Sequence, residues 1–161
     1  MTNLFGVYEC NADAKGRIML PVAFKKQLEK QLGKALKEGF VIKQSIFSKS
    51  LELYPMSTWN ELVKDVNKLN RFVKKNVEFI RMFNYGVKPV ELDGNSRLLI
   101  PKDLMTFSSI SKNVVMSAAV SMIEIWDKKL YEQSIKNSSS NFEKLAEEVM
   151  GRNEINNNKN E

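Results

Sequence analysis

Two short stretches place a carboxylate and a guanidinium four residues apart: Asp13-Ala14-Lys15-Gly16-Arg17 and Asp93-Gly94-Asn95-Ser96-Arg97. Across a tight β turn, residues at that spacing come close, and a carboxylate can grip a guanidinium bidentately. Such a pair holds the long arginine in one direction, so less side-chain entropy is lost when it later meets an anion. Arginine suits phosphate oxygens and, bidentately, a guanine edge. Two arginines presented on matching turns would suit the two strands of a duplex. The plainer alternative is that each Asp and Arg only staples its own turn. The turns also differ. Lys15 can donate to a phosphate as a point charge, whereas Asn95 offers only a neutral hydrogen bond.

The flanks repeat along with the motif. At a fixed offset of 80, Asp13, Arg17 and Pro21 match Asp93, Arg97 and Pro101. Ile18-Met19-Leu20 matches Leu98-Leu99-Ile100, and Phe24 matches Leu104. A second echo follows, Leu51-Glu52-Leu53-Tyr54-Pro55 against Ile123-Glu124-Ile125-Trp126-Asp127. Each half therefore reads as strand, Asp-x-x-x-Arg turn, strand, short helix, strand, strand, helix. Two copies of one unit predict a pseudo-twofold α+β architecture whose halves complete each other's core.

Local signals fill in the units. Residues 5–10 read as a strand, 11–16 as a turn with Gly16 free to take positive φ, and 17–20 as the next strand. Pro21 suits the first helical position, and Phe24, Leu28 and Leu32 form a buried stripe that Gly33 can end. Gly94 and Pro101 repeat the device. Residues 41–47 and 51–54 predict a hairpin around Ser48-Lys49-Ser50. Thr58 and Glu61 have capping-box spacing ahead of a face made by Trp59, Leu62, Val63, Val66 and Leu69. Residues 74–85 predict a helix with Val77, Phe79, Ile80, Met82 and Phe83 on more than one stripe, hence buried on two sides or held in an oligomer interface. Phe142, Leu145, Ala146, Val149 and Met150 give a short amphipathic helix. The polar stretch 151–161 is expected to be disordered.

Composition narrows the chemistry. The 161 residues contain no histidine and one cysteine, Cys10. A zinc site with Cys and His ligands cannot be built within one chain, nor can a Ser-His-Asp or Cys-His catalytic set. No intramolecular disulfide is possible, and Cys10 is expected to be a small buried residue. Carboxylates such as Glu9, Asp13, Glu91 and Asp93 could do acid–base work in principle. No glycine-rich phosphate loop accompanies them, so no enzyme and no cofactor is implied. No apolar run reaches membrane-spanning length and no signal peptide opens the chain, which predicts a cytosolic protein without a membrane partner. The net charge is +6. Residues 1–80 hold 14 basic against 8 acidic side chains, and residues 81–161 hold 11 of each. The surplus thus lies in the first half and points to an anionic partner, nucleic acid first.

The doubled motif, with its flanks Tyr8-Glu9-Cys10, Leu51 to Pro55, Trp59, Val90-Glu91-Leu92 and Ile123 to Trp126, resembles the MraZ family of paired SpoVT-AbrB-type repeats. The resemblance spans residues 4–150. It implies a swapped-hairpin β barrel made by two pseudo-symmetric halves with helices around it, divided into repeats at 4–80 and 81–150. It implies ring-shaped homo-oligomers that bind double-stranded DNA at short direct repeats upstream of the bacterial division and cell-wall gene cluster. Such proteins act as transcriptional regulators associated with the nucleoid. Carried onto this chain, Arg17 and Arg97 become DNA-contacting residues with Asp13 and Asp93 as orienting partners, and Lys15 and Asn95 lie beside them. With Lys15 and the charge surplus in the first half, the N-terminal turn is expected to face DNA more strongly. The competing reading is an antitoxin-like or scaffolding module of the same barrel type, holding a protein through the apolar helix at 77–83. Lys26 and Lys30 are expected on a solvated helix face or, in the sharper reading, a supplementary phosphate-contacting one, and Trp59 and Trp126 in core or interface packing.

Overall fold

Short strands recur along the chain, several with alternating burial, and prolines precede three of the helices between them. The computed structural model describes residues 2–151. Two compact units are present, Met1–Lys128 and Lys129–Glu161. The first contains β1 (Val7–Asn11), β2 (Arg17–Met19), α1 (Val22–Leu32), β3 (Phe40–Gln44), β4 (Leu51–Pro55), α2 (Met56–Asn67) and α3 (Lys74–Asn84). It continues with β5 (Lys88–Val90), β6 (Arg97–Leu99), α4 (Lys102–Ser108), β7 (Asn113–Ala119) and β8 (Met122–Asp127). Then follow α5 (Lys128–Ser139), α6 (Phe142–Ala146) and a π-helical turn, Glu147–Gly151. Residues 152–161, most of the stretch expected to be disordered, lie outside the described residues, while Gly151 ends the π turn.

All strand pairs are antiparallel. Six strands form one sheet in the order β1-β7-β8-β4-β3-β5, and β2 pairs with β6 separately. Exchanging the halves maps β1 to β5, β3 to β7 and β4 to β8, and the sheet order then reads the same from its other end. The exchange centre is the β4–β8 pair, where Glu52 stands opposite Glu124 between Leu51–Ile125 and Leu53–Ile123. Opening strands cross over: β1 pairs with β7 of the second half, and β5 with β3 of the first. The predicted mutual completion of the core is therefore built into the pairing. Phe24, Leu28, Ile18, Leu98, Leu104, Leu53, Ile123 and Ile125 from both halves share one buried cluster.

The sheet does not close into a barrel. Its edges are β1 and β5, and β5 is three residues long with Pro89, which has no N–H to offer a further strand. From both edges the chain runs straight into an Asp-x-x-x-Arg turn, and the strands beyond pair with each other. Other expectations shift slightly. β1 begins at Val7, two residues late. Pro21, Pro55 and Pro101 are the residues before α1, α2 and α4, one step earlier than the first helical position, with φ between −52° and −55°. Thr58 and Glu61 lie inside α2 and make no capping box, because Pro55 already starts that helix. Gly33 ends α1 at φ 54°, as expected.

The α2–α3 pair is less covered than its apolar content suggests. A second small core joins Val41, Trp59 and Phe83, with the Trp59 and Phe83 rings stacked at 5.4 Å. Phe83 is the buried residue of α3, while Phe79 and Met82 are exposed. Within this chain α3 is thus not buried on two sides.

Candidate nucleic-acid interface

Both turns fold by the same bonds. In the first, Asp13 N–H donates to the Arg17 carbonyl and Gly16 N–H to the Asp13 carbonyl, each at 3.0 Å. Asp13 Oδ1 accepts the backbone N–H groups of Lys15 and Arg17, each at 2.9 Å, and Oδ2 accepts Arg17 Nε at 2.6 Å. The second turn repeats every bond: Asp93 Oδ1 takes Asn95 N–H at 2.8 Å and Arg97 N–H at 3.0 Å, and Oδ2 takes Arg97 Nε at 2.9 Å. The expected bidentate grip on the guanidinium is corrected by this geometry. One carboxylate oxygen is spent on backbone donors, so only Nε pairs. Among the described residues, the terminal Nη amino groups of both arginines have no partner. The arginine is therefore oriented at its inner nitrogen and open at its tip. Accepting the Arg17 backbone N–H holds the Asp13 carboxyl below the usual carboxylate range, with further help from the Arg17 side chain and the Lys15 N–H; Asp93 is held down in the same way. Both stay ionised near neutral pH.

The ribbon β2–β6 fixes the turns relative to each other. Its register is Arg17↔Leu99, Ile18↔Leu98, Met19↔Arg97. Leu20 N–H donates to the Ser96 carbonyl and Ile100 N–H to the Gly16 carbonyl, both at 2.9 Å. These bonds interchange under the offset of 80. The two arginines sit on the same face of an antiparallel pair, roughly 8 Å apart by strand geometry. Their side chains are 31% and 27% exposed.

The turns part company at one position. Gly16 takes φ 80°, and its counterpart is Ser96 at φ 60°, not Gly94. A serine there is strained by about 1 kcal/mol relative to glycine. Its hydroxyl accepts a 2.6 Å hydrogen bond from Lys25 Nζ on α1 of the other half. The counterpart of Lys25 is Met105, which packs beside Gly16. Each turn thus has one lysine, Lys15 from its own sequence at the first and Lys25 from across the ribbon, on Ser96, at the second. Sequence alone does not bring Lys25 to this turn. Its distance of 71 residues from Ser96 left no local signal, although the offset of 80 already set it against Met105.

Two segments of the chain, residues 4–81 and 83–153, match the family model described as "MraZ protein, putative antitoxin-like". The chain belongs to the MraZ family. Relatives named "Transcriptional regulator MraZ" include one from Christiangramia forsetii, 57% identical over 151 residues covering 94% of this chain and 95% of that protein. One from Flavobacterium psychrophilum is 54% identical and covers 94% of each. A more distant one, from Finegoldia magna, is 32% identical over 87% of this chain and 92% of its own. Both matched MraZ segments contain one Asp-x-x-x-Arg turn.

The remaining candidates sort by burial. Lys26 and Lys30 are exposed on α1. Trp59 and Trp126 are buried. Cys10 is half-buried, and burial pushes its thiol up to about 11, which makes it a poor nucleophile. Among the described residues no three His, Cys, Asp or Glu side chains gather as a metal site. No helix among them is long and apolar enough to cross a membrane.

Proposed function

We propose that this chain is a sequence-specific DNA-binding transcriptional regulator. The carrying observation is the pair of arginines on one ribbon, each anchored through Nε by its own aspartate and open at its Nη groups. The name that its relatives share, transcriptional regulator, agrees with this reading. A two-stranded ribbon is narrow enough to enter the major groove, and Arg17 and Arg97 would grip phosphates or guanine edges there. Lys15, Asn95 and Lys25 would supply flanking contacts, with Asp13 and Asp93 as orienting partners. The chain is organised as repeats at 4–80 and 81–150, whose crossed ribbon is the element a swapped-hairpin barrel would be built around. It acts in the cytoplasm, associated with the nucleoid, at short direct repeats upstream of the division and cell-wall gene cluster. One chain offers few phosphate contacts. A ring of copies along one duplex multiplies them, raising avidity by roughly 10²–10⁴ when the geometry allows.

A footprint on the DNA upstream of the chain's own gene tests the reading. Protection of several evenly spaced short repeats is expected, with a light-scattering mass of several chains. No protection together with a monomer mass would overturn it. A second reading, a protein-holding antitoxin-like or scaffolding module, draws on the groove where Ile46, Phe47, Phe79, Met82 and Tyr85 are exposed. Under the first reading that groove is where copies meet. A stoichiometric foreign protein in the purified sample, without DNA affinity, would favour the second.

A further inference from the structure

The outward face of the β2–β6 ribbon carries a second pattern that the arginines do not explain. Strand alternation buries Ile18 and Leu98 and turns Arg17, Met19, Arg97 and Leu99 to the other side. Met19 is 52% exposed and Leu99 59%. They are counterparts under the offset of 80, and each lies directly opposite the other strand's arginine. Cross-strand neighbours of this kind hold their Cβ atoms about 5 Å apart.

A single exposed leucine needs no explanation. Here two large apolar side chains occupy equivalent positions, each beside a guanidinium that its aspartate holds in place. The matching surface must be anionic or hydrogen-bond accepting where the arginines reach, and apolar between. The major groove of a duplex has this character. Phosphates and guanine edges meet arginine there, and the C5-methyl of thymine is the apolar group that its floor displays; the minor groove has none. We infer that Met19 and Leu99 read thymine methyl groups, and so set part of the base preference of the ribbon. This rests on the DNA-binding reading above. It adds which bases are preferred and which side chains choose them.

The test removes the methyl and nothing else. Deoxyuridine pairs as thymine does and keeps the same groove acceptors. The duplex protected in the footprint is made once with thymine and once with deoxyuridine, and binding is measured by fluorescence anisotropy. Burying one methyl corresponds to roughly fourfold in affinity, so two contacts predict a loss of about fifteenfold for the wild type on the deoxyuridine duplex. A Met19→Ser, Leu99→Ser double variant should bind both duplexes alike, and as weakly as the wild type binds the deoxyuridine one. Both positions are exposed, so the fold should tolerate the change, which a thermal melt checks. Equal wild-type affinity for the two duplexes overturns the inference and leaves DNA binding intact. So does a double variant that still loses about fifteenfold on deoxyuridine, because the methyls are then read elsewhere. A double variant with altered light-scattering mass overturns it too, by assigning the pair to a contact between copies. Failure to bind either duplex removes the DNA reading itself.

Discussion

The first and second Asp-x-x-x-Arg turns share every internal bond yet take their lysine from different places. The first carries Lys15 within the turn. The second carries Asn95 there and receives Lys25 from α1, anchored on Ser96. A site should therefore be judged by what converges on it in space. The expectation of a dominant N-terminal turn rested on Lys15 and on a charge surplus placed in residues 1–80. Lys25 belongs to that surplus by sequence and to the second turn by position, so at the turns themselves the lysines number one each.

The largest expected effect tests whether the turns are equal partners. Arg17→Ala and Arg97→Ala should each weaken DNA binding by about 2 kcal/mol, roughly thirtyfold. The double variant should lose about a thousandfold or more. Anisotropy on the protected duplex measures all three. Loss confined to Arg17→Ala would restore the first turn's dominance and leave Arg97 as a staple.

A smaller effect probes the lysines. Lys15→Asn and Lys25→Met each give one turn the residue that its counterpart carries. Each should weaken binding a few-fold, across DNA sequences alike, and lower the slope of log affinity against log salt by about 1. A silent Lys25→Met beside an effective Lys15→Asn would break the equivalence at this level. Ser96→Gly sharpens it further. That change relieves the φ 60° strain and releases Lys25, so stability should hold or rise while affinity falls.

The orienting carboxylates predict a shared acid limit. Asp13 and Asp93 are both held below the ordinary aspartate value, chiefly by backbone donors from Arg17 and Arg97. A depressed folded pKa gives stability that is present above the unfolded value and lost as pH falls through the folded one. Both turns should thus be indifferent to pH between 8 and 5 and loosen as pH falls past the ordinary aspartate range. Carboxyl-carbon chemical shifts of the two aspartates, followed by NMR, should titrate together. An aspartate titrating at or above its ordinary value would mark its turn as loosely formed.

Much of this site was readable because its signals are local. The prolines before α1 and α4, the Ile18 and Leu98 alternation and the four-residue Asp–Arg spacing each sit within a dozen residues. The offset of 80 then tied the copies together. What escaped depends on pairing across the halves. Nothing near residue 17 says that β2 pairs with β6, and Lys25 meets Ser96 only because of that pairing. Gly94 drew attention as the flexible residue of its turn, but the position needing positive φ is set by alignment with Gly16 and falls on Ser96. Closure failed for a related reason, since a three-residue edge strand with Pro89 looks locally like any other short strand.

The smallest expected effect lies at the exchange centre. Glu52 and Glu124 face each other there, but only one is compensated. Lys43, opposite Glu52 in the β3–β4 pair and 3% exposed, reaches its carboxylate at 3.4 Å, and Tyr54 donates to it at 3.0 Å. The residue paired with Glu124 in the same way is Ser117. Burial, followed by the charge of Glu52, raises the Glu124 pKa, and Trp126 offsets only part of this. A raised folded pKa means stability that is complete below the unfolded value and is lost as pH rises through the folded one. The ionised form of Glu124 is therefore the one that the fold disfavours. Glu124→Gln keeps the shape without the charge. It should raise stability at pH 7 by about 0.5 kcal/mol, the scale of a like-charge cross-strand pair. For a chain of this size that corresponds to about 1–2 °C in Tm. The gap between variant and wild type should close below pH 4, where Glu124 is protonated, and DNA affinity should not change. Glu52→Gln should do the reverse and destabilise, because it strands Lys43 in the core. If the two substitutions behaved alike, the two halves would be equivalent at their centre, and the difference between them would be confined to the lysines at the turns.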